Sequence, residues 1–375
     1  MKQAMGFRFL GLQICRRMKI NMIKLGDVAT YINGYAFKPE DRGVVGLPII
    51  RIQDLTGSAY DLGFYDGDYP KRIEINDGDV LISWSASLGV YVWNGGRALL
   101  NQHIFKVQFD KADIDKRYFV YAVRQKLAEL TMKTHGATMK HIVKKDFEET
   151  SIPYPSQKKQ IEIGINLDKI ANIIAARKQQ LELLDELVKA RFVEMFGDPI
   201  INSRHLETKD LQDVLMFKAG DFTAASDISD EPSETNPYPC YGGNGIRGYV
   251  SEYNQDGEYS LVGRQGALSG NVQFAVGKFK NTEHALLVTP IVEMNNTWLN
   301  HLLLNLDLKR YQTGAAQPGL SVKNLQEIQI ICAPIDQQNQ FADFVRQTDK
   351  SKVAVQKALD ETKMLFDSLM QEYFG

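Results

Sequence analysis

Residues able to do covalent chemistry are present in this sequence, but never at a spacing such chemistry needs. Asn236-Pro237-Tyr238-Pro239 has the residue types of an amino-methyltransferase signature in the wrong order, with no glycine-rich cofactor loop before it. It is expected as a turn entering a strand. No GxxxxGK run followed by Ser or Thr exists; the nearest, Gly277-Lys278-Phe279, lacks the hydroxyl residue. His103 and His284 have no cysteine or histidine at metal-ligand spacing. Beside Asn101-Gln102 and Thr282-Glu283 they suit hydrogen bonding, and a satisfied core or turn histidine explains them more simply. The carboxylate pairs Asp66/Asp68 and Asp77/Asp79 sit in glycine-rich, turn-like stretches. Solvated turns explain them better than acid–base work, so no catalytic residue, metal site or cofactor of the chain's own is nominated.

The chemistry that remains is recognition. Arg suits guanine, and Gln or Asn suits adenine, through paired hydrogen bonds in the major groove. Loops of the first half carry Arg51, Gln53, Ser83, Trp84, Ser85, Asn101 and Gln102; those of the second carry Tyr241, Asn244, Arg247, Arg264 and Gln265. A basic cluster of Lys133, His135, Lys140, His141, Lys144 and Lys145 would hold a phosphate backbone, with Lys309, Arg310 and Lys323 in the corresponding part of the second half. Any one of these is equally well read as solvated surface. What gives them weight is that both halves place polar residues at matching points with different identities: Trp84-Ser85 aligns with Arg264-Gln265.

That matching rests on an internal repeat. RFVEMFG (191–197) returns as LMQEYFG (369–375). NDGDVLISWSASLGV (76–90) and LNQHIFKV (100–107) answer DGEYSLVGRQGALSGNV (256–272) and NTEHALLV (281–288). HGATMKHIVKKDFEETSIPYP (135–155) answers TGAAQPGLSVKNLQEIQIICAP (313–334), and KLGDVATYINGYAF (24–37) answers KDLQDVLMFKAGDF (209–222). The order is the same in both halves, so the final phrase marks the end of each repeat.

Each repeat divides into two parts. The first has short alternating or apolar runs rich in Gly, Tyr and Asn, which predict a mainly β module with a few helices. KRYFVYAVRQKLAEL (116–130) and TWLNHLLLNLD (297–307) are the clearest of these helices. The second part is a long helix that begins just after Pro155 or Pro334 and stops at Gly197 or Gly375. Leu167, Ile170, Ile174, Arg177, Leu181, Leu184, Val188, Arg191 and Met195 form a heptad seam; Phe341, Val345, Thr348, Lys352, Val355, Leu359, Thr362, Phe366, Leu369 and Tyr373 form its counterpart. At ~1.5 Å per residue, ~38 residues make a rod of ~57 Å. A lone rod exposes its seam, so the two are expected to pair; the competing expectation is that each packs on its own module. The fold class is α+β: two mainly-β domains in tandem repeat, separated by two long antiparallel coiled-coil helices with pseudo-twofold symmetry. The boundaries are 1–22 (extension), 23–155, 156–197 (rod), 198–334 and 335–375 (rod).

Bulk properties are compatible with this. The chain of 375 residues has three well-separated cysteines, which points to reduced thiols in a cytosolic protein without a disulfide framework. No apolar run approaches the ~18 residues of a membrane span. A net charge of −2 argues against a protein that coats DNA, but local patches can still bind phosphate. The first twenty or so residues, interrupted by Arg8, Arg16, Arg17 and Lys19, make a poor secretory segment and are read as a peripheral extension, with Met18 or Met22 the usual beginning.

From about Ile23 to Gly375 the sequence resembles the specificity subunits of type I restriction–modification systems. The resemblance rests on LISWSASLGV with LNQHIFKV, on YPCYGGNGIRGYV with LVGRQGALSGNV, on the proline-led starts of both rods and on RFVEMFGDP. It implies two target-recognition domains, each reading one half of a bipartite, asymmetric double-stranded DNA site, with the helices as a ruler for the unread spacer. It also implies two methyltransferase subunits on the helical region and two restriction subunits in the nuclease. S-adenosylmethionine, ATP and Mg²⁺ would belong to those partners. A related restriction system with methylation and cleavage on one partner chain fits as well. A peptide- or glycan-binding scaffold and a stand-alone enzyme are the readings from other classes.

Overall fold

The protein is described from a computed structural model covering residues 21–133, 142–314, 319–326 and 328–375, with backbone only for 131–133. Lys140, His135 and His141 lie outside the described residues. Two compact units result, one from the chain up to Ala176 together with Leu359–Gly375, the other from Arg177–Ala358. The rods are therefore not separate bodies, because each unit contains a β module and a segment of both helices.

The first unit holds two four-stranded sheets. In one, Thr30–Asn33, Ile104–Gln108, Val80–Ser83 and Gly89–Val92 lie side by side, all antiparallel. In the other the order is Gly63–Tyr65, Leu47–Ile50, Ala98–Leu100, Glu74–Ile75, with a parallel pairing between Ile49–Ile50 and Leu99–Leu100. The second unit holds one six-stranded sheet, in the order Leu215–Ala219, Ala285–Pro290, Gln255–Gly263, Val272–Asn281, Tyr238–Gly242, Gly245–Val250. Its first four strands repeat the order of the first unit's antiparallel sheet. Turn carboxylates behave as turn residues: Asp77 Oδ1 accepts from the Gly96 N–H at 2.7 Å, and Asp79 Oδ2 from the Asn76 N–H at 2.8 Å. Asn236 likewise leads by a turn into the strand that starts at Tyr238.

Each module enters and leaves through a two-stranded antiparallel ribbon. Met22–Lys24 pairs with Ser151–Pro153, and Thr208–Asp210 pairs with Gln329–Ile331. Met22 stands opposite Pro153, so the ribbon already includes Met22.

The rods run over Gln157–Phe196 and Ile335–Phe374, 40 residues each. Their seam residues are half-buried or buried at every position; most residues between them are exposed, with Phe192, Ala342 and Met370 among the buried exceptions. In the second unit the pairing is antiparallel: Arg177 donates to the Ala358 carbonyl, Asp185 meets Lys352 at 2.6 Å, and Phe192 packs edge-on against Phe341. In the first unit Ile163 and Leu167 of one rod share a core with Met370 and Phe374 of the other. Among the described residues no helix is long and apolar enough to cross a membrane.

The repeated phrase at each rod's end has a packing role. Phe196 and Phe374 are fully buried. Phe374 lies 5.1 Å, ring to ring, from Tyr118 on the module helix Lys116–Lys133; Phe196 lies 5.8 Å from Trp298 on the module helix Asn296–Asn305. Each repeat's end thus plugs into the unit built around the other repeat's module. Gly197, at φ 75°, then stops its rod in a left-handed conformation that favours glycine.

Candidate nucleic-acid interface

Three loops meet at one edge of the second unit's sheet. The hairpin turn between Gly242 and Gly245, the loop that leaves Gly263, and the turn at Thr282–His284 are tied by backbone bonds. The Arg264 N–H donates to the His284 carbonyl at 3.0 Å, the Thr282 N–H to the Tyr241 carbonyl at 3.1 Å, and the Leu320 N–H to the Arg264 carbonyl at 2.9 Å. The loops close so tightly that a Cβ on Gly263 would lie 2.5 Å from the Gly243 carbonyl oxygen. Asn244 Oδ1 accepts from Asn271 Nδ2 at 2.9 Å, holding the hairpin tip to the neighbouring loop.

On this frame Arg247, Arg264 and Gln265 are exposed, and among the described residues their side chains take no hydrogen bond or ion pair. They are available to an outside partner. Glu283 and His284 stand beside them as a pair, Oε1 to Nε2 at 3.1 Å. Tyr241 differs from the sequence reading. Its ring packs edge-on against Phe279 at 5.4 Å, and burial pushes its hydroxyl pKa up, so it supports the loops from beneath. Lys323 is exposed on the short helix Val322–Gln326.

The first unit has the same frame with a different lining. The Trp84 N–H donates to the His103 carbonyl at 3.2 Å, the counterpart of the Arg264–His284 bond. His103 holds φ 71°, and its ring lies 4.9 Å from Trp84, edge to face. Here several expected readers face inward. Ser83 is 0% exposed on its strand, its hydroxyl donating to the Ser87 carbonyl at 2.5 Å. Trp84 is stacked on Phe105 at 5.6 Å and forms part of the core wall. Arg51 is held by Asp54 at 3.0 Å and by the Asp61 carbonyl. Lys144 donates to the Tyr31 carbonyl at 2.8 Å and faces Glu148 at 3.6 Å. Ser83, Trp84 and Arg51 are engaged within the unit, whereas Lys144 keeps an exposed side chain beside its internal contacts. Asn101 Oδ1 accepts from the Gln102 N–H at 2.9 Å and shapes the turn. Gln53 and Gln102 are exposed, and Ser85 is half-buried. Lys133 ends the module helix.

Two residues that the sequence reading passed over recur at the start of the rods. Gln160 and Gln338 are 1% and 3% exposed. Gln160 Oε1 accepts from the Asp115 N–H at 3.0 Å, and its Nε2 donates to the Pro155 carbonyl at 2.9 Å. Gln338 Oε1 accepts from the Asn295 N–H at 2.9 Å, and its Nε2 donates to the Ala333 carbonyl at 2.8 Å. The signal was present: each glutamine stands at the same distance before its rod's terminal phenylalanine. Glutamine clusters on a helix read as solvated surface unless that register is compared.

Two β modules share one loop frame and differ in its lining. Comparison with known proteins gives the family. Residues 18–184 and 204–362 each match the type I restriction modification DNA specificity domain, and the chain belongs to that family. It is 33% identical over 289 residues to the type I restriction enzyme EcoprrI specificity subunit of Escherichia coli, covering 73% of this chain and 71% of that one. With the EcoBI specificity subunit of the same organism it shares 28% identity over 170 residues, 44% of this chain and 35% of that one. Its fold is similar to the crystal structure of a type I restriction–modification S subunit from M. genitalium, with a TM-score of 0.63 at 16% identity over 97% of this chain and 98% of the other.

Proposed function

We propose that this chain is the DNA-reading, non-catalytic subunit of a type I restriction–modification complex, working in the cytoplasm. Each module reads one half of a bipartite duplex site, and the paired rods set the unread spacer. The observation that carries this reading is the pair of loop tips: the same backbone frame, Trp84 to His103 and Arg264 to His284, bears half-buried Trp84 and Ser85 in one unit and exposed Arg264 and Gln265 in the other. Two modules reading different sequences need that combination of shared frame and divergent lining.

Two methyltransferase subunits dock on the helical region, and two restriction subunits complete the nuclease. Exposed apolar residues off the seam support docking there: Leu183, Leu187 and Val193 on one rod and Val353, Met364 and Leu365 on the other. S-adenosylmethionine, ATP and Mg²⁺ act in those partners. The test is methylome sequencing of cells expressing this chain with a methyltransferase encoded beside it, against cells lacking this chain. A bipartite methyladenine motif that disappears without the chain is the expected result. An assembled, active complex with no motif dependent on it would favour a scaffold with peptide- or glycan-binding modules.

A further inference from the structure

The two buried glutamines sit where rod, ribbon and module helix converge. Asp115 Oδ1 accepts from the N–H groups of Arg117 and Tyr118, and Asn295 Oδ1 accepts from that of Trp298, so the residue each glutamine holds is also the one that caps the module helix. One turn along the rod, Gly164 lets the capped end approach: a Cβ there would lie 3.1 Å from Arg117 Cβ and 3.2 Å from Asp115 Oδ1. Ala342 is the small residue at the same place in the second rod, and is fully buried. In its first turn the module helix also meets the other rod's terminal phenylalanine through buried Tyr118 or Trp298. Each module helix is thereby gripped at its cap by one rod and on its face by the other.

We infer that Gln160 and Gln338 are positioning residues that fix the pose of each module on its rod, and so hold the spacing between the two half-sites to a single value. This rests on the proposed DNA-reading function. A hydrogen bond is directional in a way apolar packing is not. Both glutamines use donor and acceptor together, one bond closing on the Pro155 or Ala333 carbonyl in the link that leads into the rod and the other reaching the cap of the module helix. An apolar side chain of equal length would fill the volume and leave the module free to tilt. Neither glutamine reaches the loop tips, so the bases read are independent of it.

The experiment uses the full chain assembled with its methyltransferase on a library of duplexes that carry both half-sites with the spacer varied by single base pairs. Gln160→Met, Gln338→Met and the double variant remove both bonds while keeping volume. Gln160→Glu and Gln338→Glu keep the acceptor and lose the donor. The double Met variant should methylate spacers one base pair longer or shorter with discrimination reduced roughly tenfold, about 1.4 kcal/mol, with half-site sequences unchanged and the Glu variants intermediate. A uniform loss of methylation at all spacers, or unaltered spacer selectivity in folded variants, would overturn the inference. If the Met variants do not fold, the Glu variants decide; failure of both sets to fold would assign the glutamines to folding alone. Absence of any spacer preference in the unsubstituted complex would instead overturn the DNA-reading function itself.

Discussion

Arg264 is the residue on which the recognition reading is most exposed to test. Its backbone is fixed by His284 and Leu320 while its exposed side chain takes no hydrogen bond or ion pair among the described residues. Arg264→Ala should relax the second half-site alone, at a cost of ~1–3 kcal/mol in base discrimination. Methylome sequencing of the variant checks this, and weakening spread evenly over both half-sites would make it a phosphate contact. His301 offers a separate test of stability. Burial lowers its pKa to about 4 from 6.5, with Asp349 opposing that shift and Lys352 adding to it. Because the folded state holds the neutral ring, its contribution is complete above pH 6.5 and is lost as pH falls from there towards 4. The loss is roughly 3 kcal/mol. Tyr121 stands at the corresponding place in the first unit and donates to Asp168 at 2.7 Å. His301→Tyr should therefore flatten the acid slope of the second unit's melting temperature between pH 7 and 5. An unchanged slope would show that other groups titrate there.

At the scale of elements, the rods show what pattern can and cannot predict. The seam was legible because a heptad is a statement about neighbours on one helix, and every seam position is withdrawn from solvent. The rod ends were not, because Ile163, Phe192, Phe196, Met370 and Phe374 lie in cores shared with the module helices, which a heptad does not register. The loops show the same limit in both units. Ser83 and Trp84 have the chemistry of readers, but Ser83 ends a strand buried on both faces and Trp84 stacks on Phe105, while Tyr241 packs on Phe279. The plug at the rod ends has a measurable weight. Phe374→Ala should destabilise the first unit by about 3–5 kcal/mol, seen as an earlier urea transition for that unit, whereas Phe374→Leu should retain most of the stability. Equal effects of the two would show that the ring is not gripped by Tyr118.

For the molecule as a whole, the proposed function makes rod length and base reading separable quantities. A heptad inserted at matching points in both rods adds ~10 Å, about three base-pair steps at ~3.4 Å. The methylated motif should then keep both half-site sequences and gain about three base pairs of spacer; unchanged spacing would sink the ruler. A different separation follows from the ribbons. Met22 lies opposite Pro153, and Thr208 lies opposite Ile331, so the two ends of each module lie side by side. A module is in that sense a cassette. A foreign insert needs only two neighbouring antiparallel strands and a capped helix to be accepted, and genetic exchange bounded by those short ribbons could rewrite one half of what the protein recognises while the other half, and the assembly around it, stayed as they were.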